Sequence, residues 1–246
     1  MVLLYIPPVQ NLLRREVTAY ASKATGMQIQ VERIDLRFPL NLLVRGVEVI
    51  QQPDTLLSLE SLNVRVQAWP LLKGKVEVDE VTLSQVAVNS ANLIEGMQIK
   101  GVLGRFFLQS HGVDLSNETA VVNRTELSDT HIQLLMTDTT TTPKDTTASA
   151  PVNWKVNLHQ LKLKNVSFGM KLPADSMKMA AYIGEATIDD AKADLKNQFY
   201  GLKQFLLSGA SASYDTGEAQ PSEGFDASHM AVRNIRIGLD SLLYEG

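Results

Sequence analysis

The sequence predicts a mainly β protein: an elongated, curved antiparallel sheet that makes one long groove, capped by a single amphipathic helix at the N-terminus. Three observations predict it. A six-residue pattern of apolar, polar, polar, apolar, polar, apolar residues returns along the chain. Only one stretch, near the N-terminus, has the three-and-four spacing of a helix, and no set of side chains has the spacing of a catalytic or metal centre.

The pattern reads Val31-Glu32-Arg33-Ile34-Asp35-Leu36, Leu59-Glu60-Ser61-Leu62-Asn63-Val64 and Val78-Asp79-Glu80-Val81-Thr82-Leu83, the last running on as Leu83-Ser84-Gln85-Val86-Ala87-Val88. It resumes at Leu158-His159-Gln160-Leu161-Lys162-Leu163, Leu163-Lys164-Asn165-Val166-Ser167-Phe168, Ile183-Gly184-Glu185-Ala186-Thr187-Ile188 and Val232-Arg233-Asn234-Ile235-Arg236-Ile237. Each copy is a strand alternation interrupted by one extra polar residue, which would throw every later side chain onto the wrong face. A bulge or bend at the polar pair restores the face. Bends at matching places in neighbouring strands curl a sheet into a trough, apolar inside and polar outside. The inward positions predicted this way are Ile34, Leu36, Leu62, Val64, Val81, Leu83, Val86, Leu161, Leu163, Val166, Phe168, Ile235 and Ile237.

In chain order, Met1 to Ile6 is an abrupt apolar start that reads either as the last turn and a half of a transmembrane helix lying upstream, with Tyr5 at the interface, or as a buried strand. Pro8 suits the first turn of a helix. Val9, Leu12, Leu13, Val17, Tyr20, Ala21 and Ala24 follow at helical spacing, with Asn11, Arg14, Arg15, Glu16, Thr18, Ser22 and Lys23 between them, and Gly26 ends the helix. This helix is predicted to lie over the open end of the sheet. From Met27 strands succeed one another, Gln52-Pro53-Asp54 turning one into the next and Trp69 to Lys75 forming a loop. The second block contains strands near Gln98 to Gly101, Arg105 to Gln109, Thr119 to Arg124 and Glu126 to Leu135, with Gly101-Val102-Leu103-Gly104 read as a turn. Thr137 to Pro151 has no large apolar side chain and is predicted to be mobile. The organisation is therefore residues 1–26, a capping helix after a truncated membrane anchor; 27–136, the first groove repeats; 137–151, a flexible Thr-rich loop; and 152–246, further repeats that stop in mid-pattern, as a fragment would.

Composition narrows function by exclusion. The 23 Lys and Arg against 27 Asp and Glu give a formal charge of −4, with no basic cluster for a nucleic-acid backbone. Without cysteine there is no disulfide, thiolate nucleophile or sulfur-ligated metal. No segment has the roughly 20 apolar residues a membrane-spanning helix needs. His111, His131, His159 and His229 are far apart in sequence and match no ligand spacing. Asp189, Asp190 and Asp194 beside Glu185 lack the glycine and closing glutamate of a calcium loop, and on a strand Asp189 and Asp190 point to opposite faces. No nucleophile elbow or paired acid and base is present, so no enzymatic activity, metal or cofactor is predicted.

Leu4-Tyr5-Ile6-Pro7-Pro8-Val9-Gln10, the helix ending Ala24-Thr25-Gly26, then Ile34 to Leu40, Gly46-Val47-Glu48-Val49, Asp54-Thr55-Leu56-Leu57 and Leu71 to Val76 occur in an order and spacing that resembles the AsmA-like family in its TamB branch, the translocation and assembly module inner-membrane subunits of Bacteroidota-type bacteria. Gln98 to Phe106 is similar to the family's turn into its second repeat. The resemblance covers most of the first hundred residues as a combination of motifs; beyond them only the strand rhythm agrees. It implies a β-taco, a repeating β-groove crossing the periplasm and anchored in the inner membrane by one upstream helix. It also implies passage of phospholipids toward the outer membrane, with acyl chains as the groove's partner. Two other readings stay open: an outer-membrane protein assembly factor working with an Omp85-type barrel through regions absent here, or a closed structural β-solenoid without ligand. A trough of about a dozen strands would run roughly 60 Å.

Overall fold

The computed structural model describes residues 7–245 except 39, 68–76, 91–92, 94–95, 115–116, 137–152, 174–175, 218–222 and 225. The N-terminal apolar start, the Trp69 loop and the Thr-rich loop therefore lie outside the described residues. A helix, α1 (Pro7–Thr25), precedes β1 (Gln28–Arg37), β2 (Asn41–Gln51), β3 (Asp54–Val66), β4 (Val78–Asn89), β5 (Met97–Asp114) and β6 (Thr119–Met136). Then come β7 (Lys155–Leu172), β8 (Met177–Asp194), β9 (Phe199–Leu202), β10 (Gln204–Asp215), β11 (His229–Leu239) and β12 (Leu242–Glu245). All twelve strands belong to one open sheet of order β1-β2-β3-β4-β5-β6-β7-β8-β10-β11; β9 pairs with β8 and β12 with β9, each prolonging the line of its neighbour.

The sheet is antiparallel throughout except between β6 and β7, which run parallel from Thr119↔Lys155 to Leu135↔Lys171. Because β9 and β12 lengthen existing lines instead of adding new ones, the sheet is ten strands across. At ~4.8 Å per step its nine spacings make about 43 Å, shorter than the expectation from a dozen strands side by side.

The six-residue pattern has a structural counterpart at its polar pair. Pairing is skipped where Glu32 faces Gly46, Glu60 faces Gly46 and Gln85, Gly104 faces Gln85 and Asp129, and Asn165 faces Asp129 and Gly184. Gly46, Gln85, Asp129, Asn165, Gly209 and Asn234 adopt positive φ angles of 49° to 63° along this line. One residue in the left-handed region reverses the strand's direction locally and resets the alternation. The line runs from β1 to β11 as a continuous crease.

A second crease lies six residues away. It passes through Asp79, then His111 and Asn123, then His159 and Asp190, positions that again drop out of the pairing. Asp190 has φ 49°. Beyond it, Lys203 separates β9 from β10, and Asp240 and Ser241 separate β11 from β12. Gly101-Val102-Leu103-Gly104, expected to be a turn, lies inside the unbroken strand β5. Its second glycine is a crease residue: a Cβ there would come within 2.7 Å of Asp129 Cβ and 3.0 Å of Asp129 O.

Two polar side chains of the helix bond to β1. Arg14 Nη1 donates to the Glu32 carbonyl at 2.6 Å, and Ile29 N–H donates to Ser22 Oγ at 3.0 Å. Tyr20, placed by its spacing on the apolar face, is 76 % exposed. β1 is an edge strand, whose free N–H and C=O groups take Arg14 and Ser22 as partners. Gly26, at φ 69°, donates to Ser22 O at 3.0 Å and closes the helix.

Candidate apolar groove

Register and alternation assign every strand residue to one of two faces. On one face the pairs Ile34↔Val44, Val44↔Leu62, Leu62↔Leu83, Leu83↔Phe106, Phe106↔Leu127 and Leu127↔Leu163 form a row that continues through Ala186 and Leu207 to Ile237. It crosses all ten strand lines without a polar side chain. Beside it run Leu36, Leu42, Val64, Val81, Leu108, Thr125, Leu161, Ile188, Phe205 and Leu239. Across the crease lie Val31, Val47, Leu59, Val86, Leu103, Thr130, Val166 and Ile183, with Ala210 and Ile235 at the far end. A fourth row reaches from Ile29 and Val49 through Ile132 and Phe168 to Val232. The structure thus places all thirteen predicted positions on a single face: Ile34, Leu62, Leu83, Leu163 and Ile237 in the first row, Leu36, Val64, Val81 and Leu161 in the second, Val86, Val166 and Ile235 in the third, Phe168 in the fourth.

No charged side chain stands in these rows, and their two hydroxyls, Thr125 and Thr130, both belong to β6. Thr130, 3 % exposed, donates to the Ser128 carbonyl at 3.2 Å, so its polarity is satisfied within the strand. Charges lie on the other face. Arg33, Arg45, Ser61, Ser84, Arg105, Ser128, Lys164, Glu185 and Ser208 pair across it immediately beside the crease.

The apolar face is not a closed core. Among the described residues no large side chain is fully buried, and Phe168 and Ile237 are each 42 % exposed and Val232 53 %. Near the β11 edge, Phe168, Met179, Ala181, Ala212, Tyr214, Met230 and Val232 line a hollow of 240 Å³ on this face. Phe168, Met179, Met230 and Val232 there leave apolar area exposed to water.

Sequence reasoning missed three further segments that supply Val44, Phe106 and Leu207 to the central row. Val44-Arg45-Gly46-Val47-Glu48-Val49 and Leu207-Ser208-Gly209-Ala210-Ser211-Ala212 are the same hexad with glycine at a polar place, as in Ile183-Gly184-Glu185, whereas Leu103-Gly104-Arg105-Phe106-Phe107-Leu108 also carries Phe107 where the pattern asks for a polar residue. Treating glycine as polar throughout would have found the first two.

The polar side chains that meet elsewhere are structural in character. Among the described residues no three His, Cys, Asp or Glu gather as a metal site. His131 Nδ1 lies 2.7 Å from Ser167 Oγ, and His159 Nδ1 is 3.1 Å from Asp190 Oδ1. The hydrogen bond from His159, with help from Lys203, holds the Asp190 carboxyl below its usual 3.8 despite some desolvation. His229 sits between Asp226 Oδ2 at 3.0 Å and Asp215 Oδ1 at 3.2 Å. Ser228 Oγ is 2.8 Å from His229 Nδ1, but it also bonds Asp226 Oδ1, which accepts from the Ser228 amide too. That arrangement ties a turn together at the start of β11. No helix among the described residues is long and apolar enough to cross a membrane. No protein-family model matches the chain, and no curated protein matches it.

Proposed function

We propose that the apolar face is a conduit for the acyl chains of phospholipids, within a periplasmic bridge anchored in the inner membrane upstream of this chain and leading toward the outer membrane. The observation that carries the reading is the central row from Ile34 to Ile237, apolar across ten strand lines and open to solvent at its β11 end. An acyl chain laid across it gains roughly 0.8 kcal/mol per buried CH₂. The lining is nearly uniform, so a chain can slide by exchanging one set of contacts for an equivalent one. All twelve strands belong to one sheet and no second sheet faces it among the described residues, which supports a conduit over a closed solenoid whose faces would meet.

The test combines extraction with one substitution. Organic extraction of the purified protein should release phospholipid in stoichiometric amount, and a photoreactive residue at Leu83 or Leu163 should crosslink to it. Leu163→Asp should abolish that lipid while the protein stays folded, because an unpaired carboxylate in the path costs an acyl chain several kcal/mol but remains hydrated in the empty trough. Lys164→Gln, one residue on and facing away, should bind lipid as wild type does. Global unfolding of Leu163→Asp, or extraction that yields no lipid together with no saturable binding of a hydrophobic dye, overturns the conduit.

A further inference from the structure

The polar face carries a cavity that the groove reading does not use. Two adjacent outer rows converge on it across six strand lines: Lys100, Gln133, Gly169, Ala180, Ser213 and Ala231 form one, and Gln98, Leu135, Lys171, Lys178, Asp215 and His229 the other. Together with the backbone between them they enclose 720 Å³, within the usual size of small-ligand pockets. The floor is low because Gly169, Ala180, Ser213 and Ala231, paired side by side, are all small.

Its charges are arranged at a cost. Lys171 and Lys178 are direct cross-strand partners, so two ammonium groups are carried on Cβ atoms about 5 Å apart. Directly opposed like charges destabilise a sheet, and no carboxylate pairs with either lysine among the described ion pairs. Asp215, opposite Lys178, is occupied elsewhere: its Oδ1 takes the Gly217 amide at 2.7 Å and faces His229 Nε2 at 3.2 Å. Lys100, in no ion pair among the described residues, adds a third cation across the hollow, and Gln133 and Ser213 supply further donors.

We infer that this outer-face hollow is a binding site for a phosphate monoester, its phosphate held between Lys171 and Lys178 and its body lying over the small-residue floor. Lysine is a point-charge donor suited to phosphate, and a dianion turns the Lys171–Lys178 repulsion into attraction. The floor and Leu135 offer apolar area for a short organic body, which inorganic phosphate lacks. The site is on the face opposite the groove and stands whether or not the groove carries lipid.

The test is calorimetric titration of the intact chain at constant ionic strength with two probes: inorganic phosphate, and butyl phosphate, a monoester whose single short chain gives the groove little to hold. The second should saturate at one site and the first should bind more weakly. Replacing both lysines, Lys171→Gln with Lys178→Gln, should weaken the ester by about 10-fold or more and raise the melting temperature slightly by removing the repulsion. Ala180→Leu should block the organic body while leaving inorganic phosphate binding unchanged. Lys164→Gln, an outer-face lysine outside the hollow, should change neither. Leu163→Asp separates the two sites, since it removes groove lipid and should leave phosphate-ester binding intact. Equal binding of both probes overturns the role of the floor. An absence of saturation, or wild-type affinity in the double lysine variant, overturns the site.

Discussion

Along β7 the chain crosses one crease at Asn165 and the other at His159, six residues apart, yet the two bends are held by different means. The Asn165 crease is built on close approach. Gly104 lies where a Cβ would meet Asp129, Gly46 where one would come within 2.7 Å of Glu32 Cβ, and the side chains that remain lock directly together, Asn165 Nδ2 donating to Asp129 Oδ1 at 2.7 Å. The His159 crease is built on exposed polar pairs: His111 with Asn123 at 3.4 Å, His159 with Asp190 at 3.1 Å, Lys203 with Asp190 at 3.8 Å. It is also where two strand lines are interrupted. The first bend is therefore a steric device that keeps the two apolar halves of each strand on one face. The second depends on charges that water and salt screen readily.

The most damaging way to break the first crease is to add the atom it excludes. Gly104→Val places a branched side chain against Asp129 backbone and Cβ, in a buried position, and should lower stability by about 3 kcal/mol, seen as a fall in the urea midpoint. A variant as stable as wild type would mean that the strands have slack there and that the close approach is incidental.

The left-handed residues sharpen the same point with a smaller effect. Gln85 holds φ 49° in the middle of β4, where a non-glycine side chain costs roughly 1–2 kcal/mol. Glycine removes that strain but adds roughly 0.5–1 kcal/mol of chain entropy, so Gln85→Gly should stabilise by at most about 1.5 kcal/mol. Gln85→Val should destabilise, because a β-branched residue fits that region worst. If the order of the two variants reverses, the bend is held by the Gln85 side chain and not by its backbone.

How much of this was legible depended on what leaves a mark in side-chain pattern. The extra polar residue in Leu163-Lys164-Asn165-Val166 does, and the bend at Asn165 follows from it; the thirteen inward positions share a face for the same reason. Glycine hides the mark, because Gly104 is neither polar nor apolar, and Gly101 to Gly104 reads as a turn until Asp129 is seen packed against it. Strand direction leaves no mark at all: β7 alternates identically whether it runs parallel or antiparallel to β6. The bonds between helix and sheet leave no mark either: Arg14 and Ser22 serve backbone groups of β1, and backbone demand at a sheet edge is invisible to a search for apolar faces. The lysine-rimmed hollow was equally hidden, since Lys171 and Lys178 become neighbours only through the β7–β8 register.

The smallest expected effect belongs to the second crease. Asp190 titrates below its usual 3.8 in the folded chain, first because of His159 and then Lys203. A carboxyl whose folded pKa is depressed contributes stability that is complete above its unfolded value and disappears as pH falls through the folded one. His159→Gln should therefore move the Asp190 titration midpoint, followed by NMR at the carboxyl carbon, upward toward its ordinary value. The variant should be marginally less stable than wild type at neutral pH and indistinguishable from it once the medium is acid enough to protonate Asp190 in both. High salt should narrow the neutral-pH gap, because every group concerned is exposed. The same salt should leave the Gly104→Val deficit untouched. If salt or acid erases the Gly104→Val deficit as well, the two creases do not differ in kind.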